Sequence, residues 1–389
     1  MNSAVHSVVP PRLPALDGIR GLAIALVLCH NLQQLETPVG ALARGVEFAM
    51  DRGWVGVQLF FVLSGFLITG ILLDTKAAPN HYRSFFARRA LRIFPVYYLT
   101  LLVVLVLLPL AGVTEHIPPP GPESRLPFWL YYANWVGPGA PPQGALSHFW
   151  SLAIEEQFYW LWPFALYRLS VRQVLGLCIG VAVASLLFRL GMLAAHVDTD
   201  SIYKFSVCRM DALALGGAAA AAMRLPGAAR WLADRRARVL AAALVLALVG
   251  LVVTRGYGRI APATQGLGYT LLSLMFCLLV ALAADADLNR DHWLARSVRI
   301  APLRVLGKYS YGMYVFHWPL HNFIGLRVLA ALHLERGSDI GVSLLYVGAC
   351  SAATLLLAML SYHGVEVRFL AMKHRFDVLS VDAAVRQRG

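Results

Sequence analysis

The sequence predicts an all-α integral membrane protein with about ten transmembrane helices and both termini in the cytoplasm. Of its 389 residues, 58% are hydrophobic and 14% are charged, whereas soluble domains carry about 25% charged residues. Apolar stretches of roughly 20 residues, the length that crosses a bilayer, recur along the whole chain. Lys and Arg in the connections favour one side of the membrane by about three to one, which predicts that this side is cytoplasmic.

The predicted helices follow the apolar stretches in chain order. They cover residues 15–35, 54–73, 91–112, 149–168, 172–195, 206–223, 237–254, 263–284, 306–329 and 340–362. The sixth is the least regular, because Arg209 and Asp211 interrupt its start. We predict one membrane domain over residues 1–371 and a short cytoplasmic tail over residues 372–389.

Charge and cysteine usage argue against several classes of protein. The net charge is +13, yet the Lys and Arg form no continuous basic face, so membrane topology explains them and no nucleic-acid partner is expected. The five Cys lie in or against apolar stretches without a CxxC pair, which argues against a disulfide framework or a zinc site. No metal is expected.

The longest connection, residues 112–147, is rich in Pro and Gly and is either a substrate entrance or a flexible linker.

Ionisable residues inside the first helix are the strongest functional signal, since such groups are costly in a bilayer. Arg20 lies near the start of this helix and His30, followed by Asn31, near its end. A rise of 1.5 Å per residue puts His30 about 20 Å from the cytoplasmic edge. Glu155 enters from the outside and reaches a similar depth by the same estimate. This outer polar layer also includes Gln58, Glu156, Arg209, Asp211, His317 and His321.

A second polar layer lies nearer the cytoplasmic side. Its members are Arg20, Arg88, Arg89, Arg92, Arg304 and Lys308. An arginine cluster binds phosphates well, so this layer suggests a phosphate-bearing donor that enters from the cytoplasm. Positive-inside anchoring of the third helix is the alternative.

The outer layer also has plainer interpretations. His30 can be an interfacial residue capped by Asn31. Successive helical residues point about 100° apart, so only one of Glu155 and Glu156 is expected to face a given cavity. His317 and His321 have the spacing of metal ligands, but no carboxylate or Cys flanks them.

Seven segments taken in order resemble the membrane acyltransferase family 3, whose members O-acylate glycans. The segments are LDGIRGLAIALVLCH, WVGVQLFFVLSGFLITG, FFARRALRIFPVYYL, HFWSLAIEEQFYWLWP, CRMDALALGGAAAA, LGKYSYGMYVFHWPL and YHGVEVRF, and they extend over residues 13–370. Each segment alone is only weakly specific for the family, whereas all seven in the family's order make a specific match.

The resemblance implies roles for individual residues. His30 would act on the acceptor hydroxyl, and Arg20 would help to hold an acyl-CoA donor together with Arg89, Arg92 and the adjacent Arg88. Further matches to the family pattern are Trp150, Ser151, Glu155, Ser310, Tyr311, Tyr314 and His317. We expect the acceptor to contact Asn31, Trp150, Ser151, Arg209, Asp211, Tyr311, His317 and His321.

The spacing in the first helix departs from the family pattern. Nine residues separate Arg20 from His30, where the family usually has ten. Ten helical steps leave the two side chains roughly 80° apart around the helix. Either a bulge corrects the register, or Asn31 occupies the usual position of the histidine.

The sequence and the resemblance together predict acyl transfer from cytoplasmic acyl-CoA, with acetyl-CoA the expected donor, to a hydroxyl of an extracytoplasmic or lipid-linked glycan. His30 would be the general base and Glu155 would orient it, or an acyl-His intermediate would form. The protein is expected in the inner (cytoplasmic) membrane, surrounded by lipid. It resembles the stand-alone type without an added hydrolase-like domain, which acylates its acceptor directly or passes the group to a separate extracytoplasmic transferase.

Two other functions stay open on the sequence. A secondary transporter would also place polar residues at mid-membrane, although the chain shows no internal repeat. A lipid-linked glycosyltransferase would need acidic residues placed for a metal, and Glu47 and Asp51 are not suitably arranged.

Overall fold

The fold consists of helices packed around two central ones. The computed structural model describes residues 13–136, 143–289, 293–334 and 337–379. In these residues the β-structure is one isolated bridge between Leu35 and Gly337, and the prediction of an all-α membrane protein is confirmed. The first part of the predicted membrane domain, residues 1–12, and the end of the predicted tail, residues 380–389, lie outside the described residues. The division after residue 371 stays a prediction.

The helices are described in chain order. The first nine are α1 (Pro14–Leu32), α2 (Gly40–Asp51), α3 (Val55–Thr75), α4 (His81–Leu102), α5 (Leu108–Leu110), α6 (Pro122–Trp129), α7 (Trp150–Leu166), α8 (Val171–Ala194) and α9 (Thr199–Lys204). The others are α10 (Met210–Ala222), α11 (Ala228–Val253), α12 (Tyr269–Asn289), α13 (Trp293–Val298), α14 (Ala301–Leu320), α15 (Leu326–Ala331), α16 (Ile340–Ser361) and α17 (Val367–Ala371). Short π-helical turns at Val103–Leu107, Thr264–Gly268, His321–Gly325 and Tyr362–Glu366 extend or join these helices.

Seven helical segments of the described chain are long and apolar enough to cross a membrane. They are Pro14–Leu32, Gly40–Thr75, His81–Leu110, Val171–Ala194, Ala228–Val253, Thr264–Asp287 and Ile340–Phe376. All ten predicted stretches lie in helices, but α7, α10 and α14 are not among the seven. α7 and α10 have 17 and 13 residues, and α14 carries Arg304 and Lys308 in its first half. The total of about ten spans and the orientation stay predictions.

The centre of the bundle is formed by α1 and α3. α1 packs against α3, α12 and α14, and α3 packs against α7, α10 and α12. In the most apolar window of each segment, 72% of the residues are buried for the one containing α3 but only 17% for α11. α11 therefore turns exposed apolar side chains outward, where a bilayer covers them. The polar residues of α1 are shielded from lipid by the helices α3, α12 and α14 packed around it.

The long connection at residues 112–147 is folded against the core over its described part. It forms α6 and the 3₁₀ turns Ala133–Trp135 and Gly144–Phe149, and Phe128, Leu146 and Phe149 are fully buried. Residues 137–142, one of the two Pro- and Gly-rich runs of this connection, lie outside the described residues. The interpretation as a flexible linker is therefore wrong for the described part of the connection.

Candidate functional site

One cavity collects the arginines predicted to hold a donor, and we name it the arginine cavity. It is open on one side and has a volume of about 110 Å³. Its lining comprises Arg20, Val57, Phe60, Phe61, Ser64, Arg89, Arg92, Ile93, Ser151, Leu152, Glu155, Glu156, Tyr159, Ser310, Tyr311 and Tyr314. Three guanidinium groups on two helices thus face one space, which is an arrangement suited to phosphate oxygens.

The position of each arginine follows from the geometry of its helix. Arg89 and Arg92 are three residues apart on α4 and share a face, and the Arg89 guanidinium lies 4.7 Å from the ring centre of Tyr159. Arg20 approaches from α1, with its Nη1 at 3.2 Å from Asp17 Oδ1. Arg88 points away from the cavity and pairs with Asp377. The expectation that Arg88 contacts the donor is therefore corrected, because its neighbour position on the helix turns it toward the C-terminal segment.

Two carboxylates of α7 also line the arginine cavity. The Ser64 hydroxyl donates to Glu155 Oε1 at 2.7 Å, and the Tyr159 hydroxyl donates to Ser64 Oγ at 3.2 Å. Glu156 is buried, and its Oε1 has no hydrogen-bond partner in the described part of the chain. The expectation that only one of the two glutamates faces a given cavity is wrong, because Glu155 and Glu156 both line this one.

A second cavity contains His30, and we name it the histidine cavity. It is open on one side and has a volume of about 230 Å³. Its lining comprises Val27, His30, Asn31, Trp54, Val57, Ser147, His148, Trp150, Asp200, Tyr203, Lys204, Arg259, Tyr314 and Trp318. α1 is a regular helix through residues 14–32, so no bulge corrects the register, and both His30 and Asn31 face the histidine cavity.

The carboxylate beside His30 comes from α2. Asp51 Oδ1 lies 3.7 Å from His30 Nδ1, and the other oxygen of Asp51 accepts from Arg52 at 2.6 Å. Glu155 lines the arginine cavity instead, which corrects the expected His30–Glu155 pair. α7 begins inside the protein, since the preceding turn is already buried at Phe149. Its Glu155 lies on the wall of the arginine cavity and not beside His30.

A buried histidine fixes the orientation of Asn31. His317 Nδ1 lies 2.7 Å from the Tyr314 carbonyl, so this nitrogen carries the proton and Nε2 is left as an acceptor. The Asn31 amide then donates to Nε2 at 2.8 Å. His317 is fully buried and supports Asn31 from behind instead of lining the cavity.

Several residues of the histidine cavity were not predicted from the sequence. His148 is 7% exposed, its Nε2 donates to the Val315 carbonyl at 3.3 Å, and its Nδ1 has no hydrogen-bond partner among the described residues. Burial, followed by the neighbouring His317, holds the pKa of His148 well below its usual value of 6.5, so the ring is neutral. The sequence feature that could have indicated His148 as a site residue is its position three residues before Ser151. Arg259, Lys204 and Asp200 resembled ordinary loop charges.

The other predicted acceptor residues divide between the two cavities. Trp150 lines the histidine cavity, and Ser151 and Tyr311 line the arginine cavity. His321 lines neither cavity and is hydrogen-bonded to Tyr346 at 2.7 Å. In the described chain, no group of three or more His, Cys, Asp or Glu side chains is arranged to hold a metal ion.

Asp211 and Arg209 differ although they are two residues apart. Asp211 pairs with Arg189 at 3.0 Å with both side chains fully buried, and it accepts from Thr270 at 2.7 Å. This ion pair joins α10 to α8, so the expectation that Asp211 contacts the acceptor is corrected. Arg209 is also fully buried, but none of its three guanidinium nitrogens has a hydrogen-bond partner in the described residues.

The two cavities share part of their walls. Val57 and Tyr314 line both of them. The Tyr314 hydroxyl is 2.5 Å from Ser151 Oγ, and its ring is 6.2 Å from that of Phe60, so this tyrosine is firmly held. The arginine cavity and the histidine cavity therefore meet at one partition.

Comparison with known proteins gives a consistent picture. The chain is 25% identical to the peptidoglycan O-acetyltransferase OatA of Listeria monocytogenes over 91% of this chain and 55% of that protein. It is 24% identical to the O-acetyltransferase OatA of Staphylococcus aureus over 92% of this chain and 57% of that protein. The chain thus spans about half the length of these curated relatives. No solved structure matches it.

A family model described as an acyltransferase domain matches residues 13–363. This match includes α1, α3, α4, α7, α9 and α14, helices whose residues line the two cavities. It covers most of the chain, and the chain therefore belongs to the acyltransferase family 3.

Proposed function

We propose that the protein transfers an acyl group, with acetyl-CoA as donor, from the cytoplasmic side to a hydroxyl of an extracytoplasmic or lipid-linked glycan in the bacterial inner membrane. The observation that carries this proposal is the pair of cavities that meet at Val57 and Tyr314. One cavity offers arginines to a phosphate-rich donor and the other offers a histidine to an acceptor. The names of the relatives support a glycan acceptor, and peptidoglycan is the first to test.

In this proposal the arginine cavity holds the donor. Arg20, Arg89 and Arg92 pair with the phosphate groups of CoA. Glu155 and Glu156 border the same space. They make the cavity selective among anions, since a phosphate placed wrongly would meet a carboxylate. The acyl group points toward Val57 and Tyr314, where the histidine cavity begins.

His30 acts as the base in the histidine cavity. It takes the proton of the acceptor hydroxyl, whose oxygen attacks the thioester carbonyl carbon. The carbon–sulfur bond breaks, and the proton passes from His30 to the departing CoA thiolate. Asp51, at 3.7 Å from His30 Nδ1, stabilises the imidazolium formed between these steps. An acyl-His30 intermediate would use the same residues in two transfers.

The test uses purified protein with radiolabelled acetyl-CoA and follows CoA release and label on protein or glycan. His30→Ala is expected to lower release by about 10² to 10⁴, the usual contribution of a general base. His374→Ala, an exposed histidine that lines neither cavity, is the matched control and should leave release unchanged. Equal rates for the wild type and His30→Ala, in protein that binds acetyl-CoA, would contradict the proposed role of His30. A wild type that binds no acetyl-CoA but transports a solute would contradict the acyltransferase proposal.

A further inference from the structure

The histidine cavity contains more positive than negative charge. Arg259 and Lys204 line it together with one acid, Asp200. Asp200 is 2.5 Å from Lys204 Nζ but 3.8 Å from the Arg259 guanidinium, so a single carboxylate serves two cations. Near His30, Asp51 and Arg52 pair with each other and add no net charge. One positive charge on the lining is left without a matching anion.

A third cation lies directly behind the wall of this cavity. The Arg209 guanidinium carbon is 4.2 Å from the ring centre of Tyr269, 5.0 Å from that of Tyr203 and 5.9 Å from that of Trp150. Tyr203 and Trp150 line the histidine cavity. The aromatic faces stabilise the buried cation in part, but its nitrogens contact no carboxylate or carbonyl among the described residues.

These cations create a positive electrostatic potential in the histidine cavity, which stabilises a bound anion. A buried charge without an anionic partner is costly, and its field is weakly screened in a low-dielectric site. Arg259 stands at the cavity edge, stacked over Tyr203 at 4.7 Å, with its side chain 34% exposed. It can therefore reach a bound anion, while Arg209 attracts the same anion through the aromatic wall.

We propose that the histidine cavity selects an acceptor that carries a carboxylate or phosphate group close to the hydroxyl to be acylated, held by Arg259 and Lys204 and attracted by Arg209. This inference rests on the proposed function, since it takes the histidine cavity to be the acceptor site. It adds a class of acceptor, an acidic sugar, and assigns its recognition to residues other than the base. Arg209 is here a positioning residue, because Tyr203 and Trp150 separate it from the ligand.

The experiment measures sugar binding without any acyl donor, so its result does not depend on acyl transfer. Saturation-transfer NMR on the full chain in nanodiscs compares glucuronate, glucose 6-phosphate and glucose, which differ only in the group at C6. We expect at least one charged sugar to bind about tenfold or more tightly than glucose, as charge-assisted hydrogen bonds imply. Preference for glucuronate would indicate a carboxylated glycan, and preference for the phosphate a phosphorylated or lipid-phosphate acceptor.

Variants separate charge recognition from general damage. Arg259→Gln and Lys204→Gln should each reduce the preference for the charged sugar, and Arg259→Lys should retain part of it. Arg209→Met should reduce the preference without changing the affinity for glucose. Arg44→Gln, an exposed arginine of α2 outside the cavity, should have no effect. Equal binding of the charged and neutral sugars, binding of none of them, or a preference that survives both Arg259→Gln and Lys204→Gln would overturn the inference. CoA release that depends on His30 would still support acyl transfer in that event.

Discussion

Adjacent arginines of α4 have different surroundings although they share one sequence motif. Arg89 and Arg92 face the arginine cavity, whereas Arg88 is 41% exposed and pairs with Asp377. The helical angle of about 100° between successive residues is enough to separate them. Their positive charge alone therefore does not assign them a role, and the pair offers a matched comparison.

Replacing Arg89 should weaken binding of the donor far more than replacing Arg88. We expect Arg89→Gln to raise the KM for acetyl-CoA by about ten- to a hundredfold, because a charge-assisted hydrogen bond to phosphate is lost. Steady-state CoA release over a range of acetyl-CoA concentrations gives this value. Arg88→Gln should leave the KM within about twofold of the wild type, as expected for an exposed ion pair. Similar effects of both changes would show that the two arginines serve the same anchoring function.

At the scale of elements, the contact between α1 and the chain around α14 depends on glycine. A Cβ added to Gly21 would lie 1.9 Å from the Leu303 carbonyl oxygen, and one added to Gly307 would lie 1.8 Å from that of Asp17. Small residues let helix backbones approach this closely. The approach holds Arg20 of α1 and Tyr311 of α14 on the wall of the same cavity.

Gly21→Ala should therefore separate α1 from α14. We expect a loss of about 1–3 kcal/mol in stability, the usual cost of an overpacked contact, together with reduced CoA release. Thermal unfolding in detergent and the release assay measure the two effects. Gly176→Ala in α8 is the matched control, since its added methyl group meets no atom within 4 Å, and alanine is favoured over glycine in a helix. Equal stability of the two variants would show that α1 and α14 adjust without strain.

At the scale of the whole molecule, the two cavities determine which way the protein must face. Arg20 and His30 are ten steps apart on α1, about 15 Å along the axis, and line different cavities. If the donor enters from the cytoplasm, the arginine cavity must be nearer that side. The distribution of Lys and Arg predicts the same orientation.

Cysteine labelling tests this orientation. Val39 and Ala77 are both exposed and lie on either side of α3. In intact cells we expect a membrane-impermeant maleimide to label Val39→Cys but not Ala77→Cys, and to label both after permeabilisation. The five native cysteines are buried or half-buried, so the wild type gives the background. Labelling of Ala77→Cys alone in intact cells would indicate the opposite orientation.

Features that depend on neighbouring residues could be predicted from the sequence. The apolar stretches marked the helices that carry the site, because hydrophobic length and helical structure are properties of neighbouring residues. The sequence also marked Arg20, His30, Arg88, Arg89 and Arg92 as candidate site residues, since ionisable groups in apolar helices are costly unless they have partners or face polar space. All of these except Arg88 line one of the two cavities. The sequence did not indicate α2, whose Asp51 lies beside His30.

Which side chains meet depends on the packing of the whole chain. Asp51 replaced Glu155 next to His30, Asp211 paired with Arg189, and Arg209 was left among aromatic rings. None of these follows from the sequence, because the depth of one helix relative to another depends on how the connections fold and how side chains interlock. Such contacts join residues far apart in the chain, and only the packed molecule brings them together.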